Sequence, residues 1–123
     1  EIFSIAQMLP AIGQGAIALQ CKKDDQKTLD LLKTINDKDT YYCIQAERAL
    51  LEAIGGDCDT AIGGLAELSN EKIYLKSELF SNDGKKKFEA QSRGHFKEAK
   101  EIGYKVGKEL LKKAGSDFTT QGN

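Results

Sequence analysis

The chain has 123 residues, of which 40% are hydrophobic and 30% charged, and its formal net charge is -1. This length suits one domain with a single modest core. The nearly balanced charge gives no electrostatic reason to expect nucleic-acid binding, because such binding depends on clustered Lys and Arg. No apolar run approaches the ~20 residues that span a bilayer, so we expect no membrane insertion.

The cysteines exclude two further classes of protein. Cys21, Cys43 and Cys58 form an odd set without a C-x-x-C pair, which argues against a disulfide framework and against a zinc site. We therefore predict no bound metal and a reducing, cytoplasmic environment. His95 is the only histidine and lies in a predicted turn, so a Cys-His protease arrangement is disfavoured.

The first 22 residues are predicted to form an extended segment. Residues 13–15 (GQG) predict a turn, and the apolar run at 16–21 predicts a buried strand. The glycines are not a dinucleotide fingerprint, because the strand follows them and no third glycine opens a helix. Since no neighbouring strand is predicted, we expect its partners in sequence outside this chain, which begins at Glu1. An unpaired apolar strand is a risk for self-association.

Two helices are predicted to follow this segment. Asp24 or Asp25 caps the first, which ends at Ile35. Its apolar face is formed by Leu29, Leu32 and Ile35.

The second predicted helix runs over residues 38–54 and ends at Gly55. Glu47 and Arg48 flank its inner stripe and are expected to be solvated, as a pair that contributes only ~0–1 kcal/mol. The inner stripe consists of small and apolar residues: Cys43, Ala46, Ala49, Leu50 and Ile54.

Three strands and one helix complete the predicted fold. The strands cover residues 61–68, 72–80 and 86–93, and the helix covers residues 96–114. Gly103 and Gly107 in that helix are expected to allow close packing on the sheet. The order ααβββα predicts an α+β domain, with a three-stranded antiparallel sheet and helices packed on one face.

In the second strand, apolar and polar side chains alternate. One face carries Ile73, Leu75 and Leu79, and the other carries Tyr74, Lys76 and Glu78.

Between the second helix and the first strand lies the glycine-rich segment 54–64 (IGGDCDTAIGG). Paired glycines on both sides of Cys58 permit positive φ and a sharp bend. The segment has two interpretations. It either presents an accessible thiol, or it is an ordinary helix-to-strand connection with an incidental cysteine.

Three motifs at these spacings resemble one family. They are the segment 9–16 (LPAIGQGA), the helix segment 46–49 (AERA), and Cys58 followed by Ile62 and Gly63. Together they are similar to porphobilinogen deaminases (hydroxymethylbilane synthases), and the similarity extends over essentially the whole chain. The family usually has a glycine before the cysteine and a proline two residues after it, whereas this chain has Asp57 and Thr60.

The resemblance implies an enzyme of tetrapyrrole (haem) biosynthesis. The family polymerises four porphobilinogens into hydroxymethylbilane and releases ammonia, using a dipyrromethane cofactor held by a thioether. By resemblance Cys58 is the anchor of this cofactor, and Gln14 and Gly15 lie near it. Carboxylates beside Cys58 disfavour a thiolate, which suits a one-time attachment better than a hydrolase nucleophile.

The resemblance also divides the chain. Residues 1–22 would belong to the preceding domain of the full-length enzyme, residues 23–115 would form the C-terminal cofactor-anchoring domain, and residues 116–123 would be a frayed tail. The full-length enzyme is expected to be a monomer.

This chain has few groups for binding the carboxylates of porphobilinogen. Arg48 and Arg93 are its only arginines, whereas a growing pyrrole chain calls for several guanidinium groups. We therefore expect the substrate arginines and the catalytic aspartate elsewhere in the enzyme. The isolated chain is expected to contain no catalytic residue, no attached cofactor and no activity. The alternative is a small non-enzymatic α+β module that binds a ligand or another protein.

Overall fold

The computed structural model describes residues 1–56 and 59–118. Its elements follow the predicted order ααβββα and form an α+β fold. The helices and strands are α1 (Gln26–Ile35), α2 (Lys38–Ile54), β1 (Ile62–Ser69), β2 (Lys72–Phe80), β3 (Lys87–His95) and α3 (Ala99–Ala114). Short 3-10 turns at Phe96–Glu98 and Gly115–Asp117 flank α3.

The sheet is antiparallel, with strands in the order β1-β2-β3. Asn70 and Glu71 connect β1 to β2 and both have positive φ, which matches a tight turn to the twist of the two strands. The alternation predicted for β2 is confirmed. Its buried face includes Ile73, Leu75 and Leu79, and the opposite face carries the polar side chains.

Helices α2 and α3 cover the buried face of the sheet. Asp37 caps α2 by accepting a hydrogen bond from the amide of Thr40, and Gly55 ends it in the left-handed conformation. Both bounds follow from residues that stop a helix. The predicted inner stripe is confirmed at Ala46, Leu50 and Ile54, which belong to the core.

Gly103 and Gly107 of α3 face α2, not the sheet as predicted. A Cβ atom on Gly103 would overlap the carbonyl oxygen of Ala46 and lie 2.7 Å from the Cβ of Ala49. A Cβ on Gly107 would lie 2.6 Å from the Cβ of Ala53. The two glycines therefore let the backbones of α2 and α3 approach closely.

Helix α1 is capped as predicted but adds little to the core. The carboxylate of Asp25 accepts a hydrogen bond from the amide of Thr28. Leu29 and Leu32 are half-buried, Ile35 is exposed, and no residue of the helix is buried. The predicted apolar face is thus only partly covered within this chain.

The predicted strand at residues 16–21 is absent from this structure. These residues have irregular backbone, and Ile17 is 92% exposed. The prediction is wrong for this chain because a strand needs a neighbour, and none lies beside this segment among the described residues. That residues 1–22 belong to a preceding domain stays a prediction.

The first residues of the predicted tail are docked. The carboxylate of Asp117 lies 2.9 Å from the Nζ of Lys86, and Phe118 packs against the core. The prediction of a frayed tail otherwise concerns residues 119–123, which lie outside the described residues.

Candidate functional site

The N-terminal motif lies along the free edge of β1. The amide of Gly64 donates to the carbonyl of Pro10 at 2.9 Å, and Ala11 forms an antiparallel bridge with Gly63. This contact brings the first motif of the sequence beside the strand that follows Cys58.

The two glycines of β1 permit this contact. A Cβ on Gly63 would lie 3.2 Å from the Cβ of Leu9, and a Cβ on Gly64 would lie 3.1 Å from the Cγ1 of Ile12. Neither glycine has positive φ, whereas Gly55 on the other side of Cys58 does. The expectation that both glycine pairs bend the backbone is therefore wrong for this pair, which instead makes room for a neighbouring segment.

Glu47 is the main residue that sequence reasoning placed wrongly. It is only 5% exposed, and its carboxylate accepts hydrogen bonds from the amides of Gly13 at 2.8 Å and Ala66 at 2.9 Å. No ion pair with Arg48 occurs among the described residues. Helical spacing indicates that Glu47 is on the buried face of α2, because it follows Cys43 by four residues and precedes Leu50 by three.

Gln14 and Gly15 lie in an exposed turn. Gly13 has a φ of 76°, and the amide of Gln14 donates to the carbonyl of Ala11 at 3.4 Å, which confirms the predicted turn. Gln14 and Gly15 are exposed. Both residues are therefore accessible to a ligand.

An open groove of about 540 Å³ runs between this turn and α2. Gly15 and Ile17 line one side, and Tyr41, Ile44 and Arg48 line the other. The lining is mixed, because apolar side chains alternate with polar ones, and the guanidinium group of Arg48 and the carboxylate of Asp37 both belong to it.

Cys58 lies outside the described residues, but the residues that frame it are described. A Cβ on Gly56 would lie 3.1 Å from the Oγ1 of Thr60. The amide of Phe80 donates to the carbonyl of Ala61 at 2.9 Å, which ties the far end of the connection to β2. Residues 57–59 thus link Gly56 to Thr60, two residues that lie close together. Gly56 and Thr60 are half-buried, whereas Gly55 and Asp59 are exposed.

The other two cysteines, Cys21 and Cys43, are both half-buried. Cys43 packs against the core, and burial, followed by the nearby Glu47 carboxylate, raises the pKa of its thiol. Cys21 is half-buried and free. Within the part of the chain that the structure describes, no group of three His, Cys, Asp or Glu side chains is placed to hold a metal ion.

Arg48 and Arg93, the only two arginines, lie on different elements. Arg48 is on α2, and Arg93 is on β3 opposite Tyr74 on the outer face of the sheet. Neither belongs to a cluster of guanidinium groups. In residues 1–56 and 59–118, no helix combines the length and the apolar character that crossing a membrane requires.

Comparison with known proteins agrees with these motifs. The family model described as "Porphobilinogen deaminase, C-terminal domain" matches residues 41–112. The chain is 41% identical over 116 residues to the porphobilinogen deaminase of Coxiella burnetii (strain CbuG_Q212), which covers 94% of the chain and 38% of that relative. It is 39% identical over 113 residues to the porphobilinogen deaminase of Listeria monocytogenes serotype 4a (strain HCC23), and this match covers 92% of the chain and 36% of that relative.

Proposed function

The chain belongs to the porphobilinogen deaminase family through its C-terminal domain, and we propose on that premise that it holds the dipyrromethane cofactor through Cys58. The chain spans 38% of the length of the Coxiella relative. The activity of a whole enzyme is therefore a further proposal. In it, a longer protein carrying this chain polymerises four porphobilinogens into hydroxymethylbilane with release of ammonia.

The observation that carries the proposal is the short connection between Gly56 and Thr60. Both ends are fixed, one by the cap of α2 and the other by the hydrogen bond from Phe80 to Ala61. Fixed ends restrict how far a three-residue link can move, and Gly55 before Cys58 and Asp59 after it are exposed. An anchor would need a restricted link with accessible flanks, because it must be reached once and held in place afterwards.

Gln14 and Gly15 are proposed to contact the cofactor. The support is their exposure and their place on a segment that is bonded to β1 within a few residues of Cys58. The amide of Gly15 and the side-chain amide of Gln14 would hydrogen-bond polar substituents of the cofactor, and Arg48 in the adjoining groove would bind a carboxylate. The cofactor itself would supply a covalently held pyrrole primer for chain growth.

The chain alone is proposed to be inactive towards porphobilinogen. Arg48 and Arg93 lie on different elements, and one guanidinium group at the groove is too few for a growing chain of carboxylates. Incubation of the purified chain with porphobilinogen is expected to give no hydroxymethylbilane by absorbance assay. Sustained product formation would refute the assignment of the catalytic groups to other sequence.

Cofactor attachment is best tested with three matched thiol variants of a longer protein that carries this chain. Cys58→Ser is expected to abolish attachment, measured as the mass difference between intact protein and apoprotein. Cys21→Ser and Cys43→Ser remove the other thiols and are expected to leave it unchanged. Attachment that survives Cys58→Ser would refute the anchor.

The alternative of a non-enzymatic binding module is not favoured. The matches to enzymes cover 94% and 92% of the chain, so no sizeable part of it remains for a separate function. We propose the cytoplasm as the compartment, because three cysteines without a pairing framework suit a reducing environment. We also propose that the whole enzyme is a monomer and that the isolated chain self-associates through exposed apolar residues such as Ile17.

A further inference from the structure

The free edge of β1 is closed by two different kinds of acceptor. The amides of Gly64 and Ala66 are two residues apart, so both point away from β2. The carbonyl of Pro10 accepts from Gly64, and the carboxylate of Glu47 accepts from Ala66, each at 2.9 Å. Along this edge of β1, the backbone carbonyl of Pro10 accepts the first hydrogen bond and the side-chain carboxylate of Glu47 accepts the next one. Covering these amides also protects the edge from pairing with another chain.

The second carboxylate oxygen of Glu47 bonds to the N-terminal turn. Its Oε2 accepts from the amide of Gly13 at 2.8 Å, while Oε1 accepts from Ala66. One side chain of α2 therefore joins the strand and the turn. Because the carboxylate is almost fully buried, these charge-assisted bonds are shielded from water and are strong.

We propose that Glu47 is a positioning residue that holds the turn containing Gln14 and Gly15 in a fixed relation to the strand following Cys58. The backbone bond from Gly64 to Pro10 fixes the segment just before the turn. Residues 17–20, after the turn, are exposed and irregular. Among the described residues, the bond to Gly13 is thus the last hydrogen bond from this segment to α2 or β1 before the exposed stretch begins. The importance of Glu47 for the cofactor rests on the proposed function. The hydrogen bond between Glu47 and Gly13 does not depend on that proposal.

Hydrogen exchange measured by NMR on the chain tests the tie. Glu47→Gln keeps the shape of the side chain but leaves only one acceptor oxygen, so at least one of the two amides loses its partner. We expect the amide of Gly13 or Ala66 to exchange about 10- to 100-fold faster. Glu67→Gln is the matched control, because it removes the same charge from an exposed position on β1, next to Ala66.

A merely structural role would give a different pattern of exchange. The amide of Leu75 in the central strand reports opening of the whole sheet. Faster exchange at Gly13 or Ala66 with Leu75 unchanged supports the proposal. Unchanged exchange at both, or equal acceleration of all three amides, would overturn it.

The unmodified chain provides a measurement that does not require the variant to fold. Gly13 lies in a turn next to exposed residues, so without Glu47 its amide would exchange as fast as that of a free peptide. We expect it to be protected at least about tenfold. Exchange at the free-peptide rate would overturn the proposal.

A third measurement links the tie to the cofactor. In a longer protein that carries this chain, Glu47→Gln is expected to slow cofactor attachment about 5- to 50-fold, because the turn is no longer held beside β1. Attachment at the unmodified rate would overturn the positioning role. Attachment that persists in Cys58→Ser would instead refute the proposed function, so the two failures are distinguishable.

Discussion

Two regions of this chain use their apolar residues differently. In residues 38–118 the large side chains of α2, α3 and the sheet meet one another, and Leu50, Ile73, Leu75, Leu79 and Leu110 are fully buried. In residues 1–35 many of the comparable side chains face solvent: Ile2 is 97% exposed and Leu31 62%.

The difference shows which contacts the chain supplies for itself. The second region contains both layers of its core, so its apolar stripes find partners. The first region leaves most of its large apolar side chains exposed, and its hydrogen bonds to the domain lie between Pro10 and Gly13. The same substitution should therefore have different effects in the two regions, and the following predictions use paired variants.

The largest difference is expected for leucine truncation. Leu110→Ala would leave a cavity between α3 and the sheet and lower the free energy of unfolding by about 2–5 kcal/mol. Leu31→Ala in α1 removes an exposed side chain and is expected to change it by less than about 0.5 kcal/mol. Urea denaturation of both variants checks this, and equal effects would refute the division into two regions.

Glycine substitution is expected to give a smaller difference. Gly103→Ala places a methyl group against the backbone of α2, which costs about 1–3 kcal/mol and outweighs the ~1 kcal/mol gain in helix propensity. Gly15→Ala is the control, because a Cβ there meets no atom within 4 Å. Stability is again measured by urea denaturation. A Gly103→Ala variant as stable as the parent would show that α2 and α3 separate easily.

The smallest effect concerns acid stability. A hydrogen bond from the Ser81 hydroxyl lowers the pKa of Asp83 below its ordinary 3.8, and one from the Thr28 hydroxyl does the same for Asp25. Because each folded-state pKa is depressed, the stabilisation is present above pH 3.8 and is lost as the pH falls through the folded-state value.

The two carboxylates should report on different regions. Asp83 lies in the turn between β2 and β3. Asp83→Asn should therefore reduce the acid dependence of unfolding of the whole domain, which is measured by the near-UV circular dichroism of the tyrosine and phenylalanine side chains. Asp25→Asn should change only the helical signal of α1, because that helix buries no residue. Identical pH profiles for the two variants would mean that α1 unfolds together with the core.

Local signals predicted the second region well. The bounds of α2 were predictable, because Asp37 caps its first turn and Gly55 ends it. The alternation of apolar and polar residues in β2 predicted that strand and its buried face, which carries Ile73, Leu75 and Leu79. The first and third strands and the last helix were placed within three residues of their observed starts. In each case the decisive interactions lie within a few residues.

Long-range contacts account for what was missed. Glu47 is separated in sequence from Gly13 by 34 residues and from Ala66 by 19. Its charge predicted an exposed side chain, although its helical spacing indicated the buried face of α2. The direction of Gly103 depends on the course of α2, which helical periodicity in α3 does not reveal. Residues 16–21 have strand-like composition, but a strand also requires a partner.

The account depends most directly on Cys58 as the attachment point of the cofactor. The decisive measurement is peptide mass spectrometry of a longer protein that carries this chain, purified after synthesis in cells. We predict a dipyrrole adduct on the peptide that contains Cys58, and none on the peptides of Cys21 and Cys43. An unmodified Cys58 in an enzymatically active protein would contradict the account.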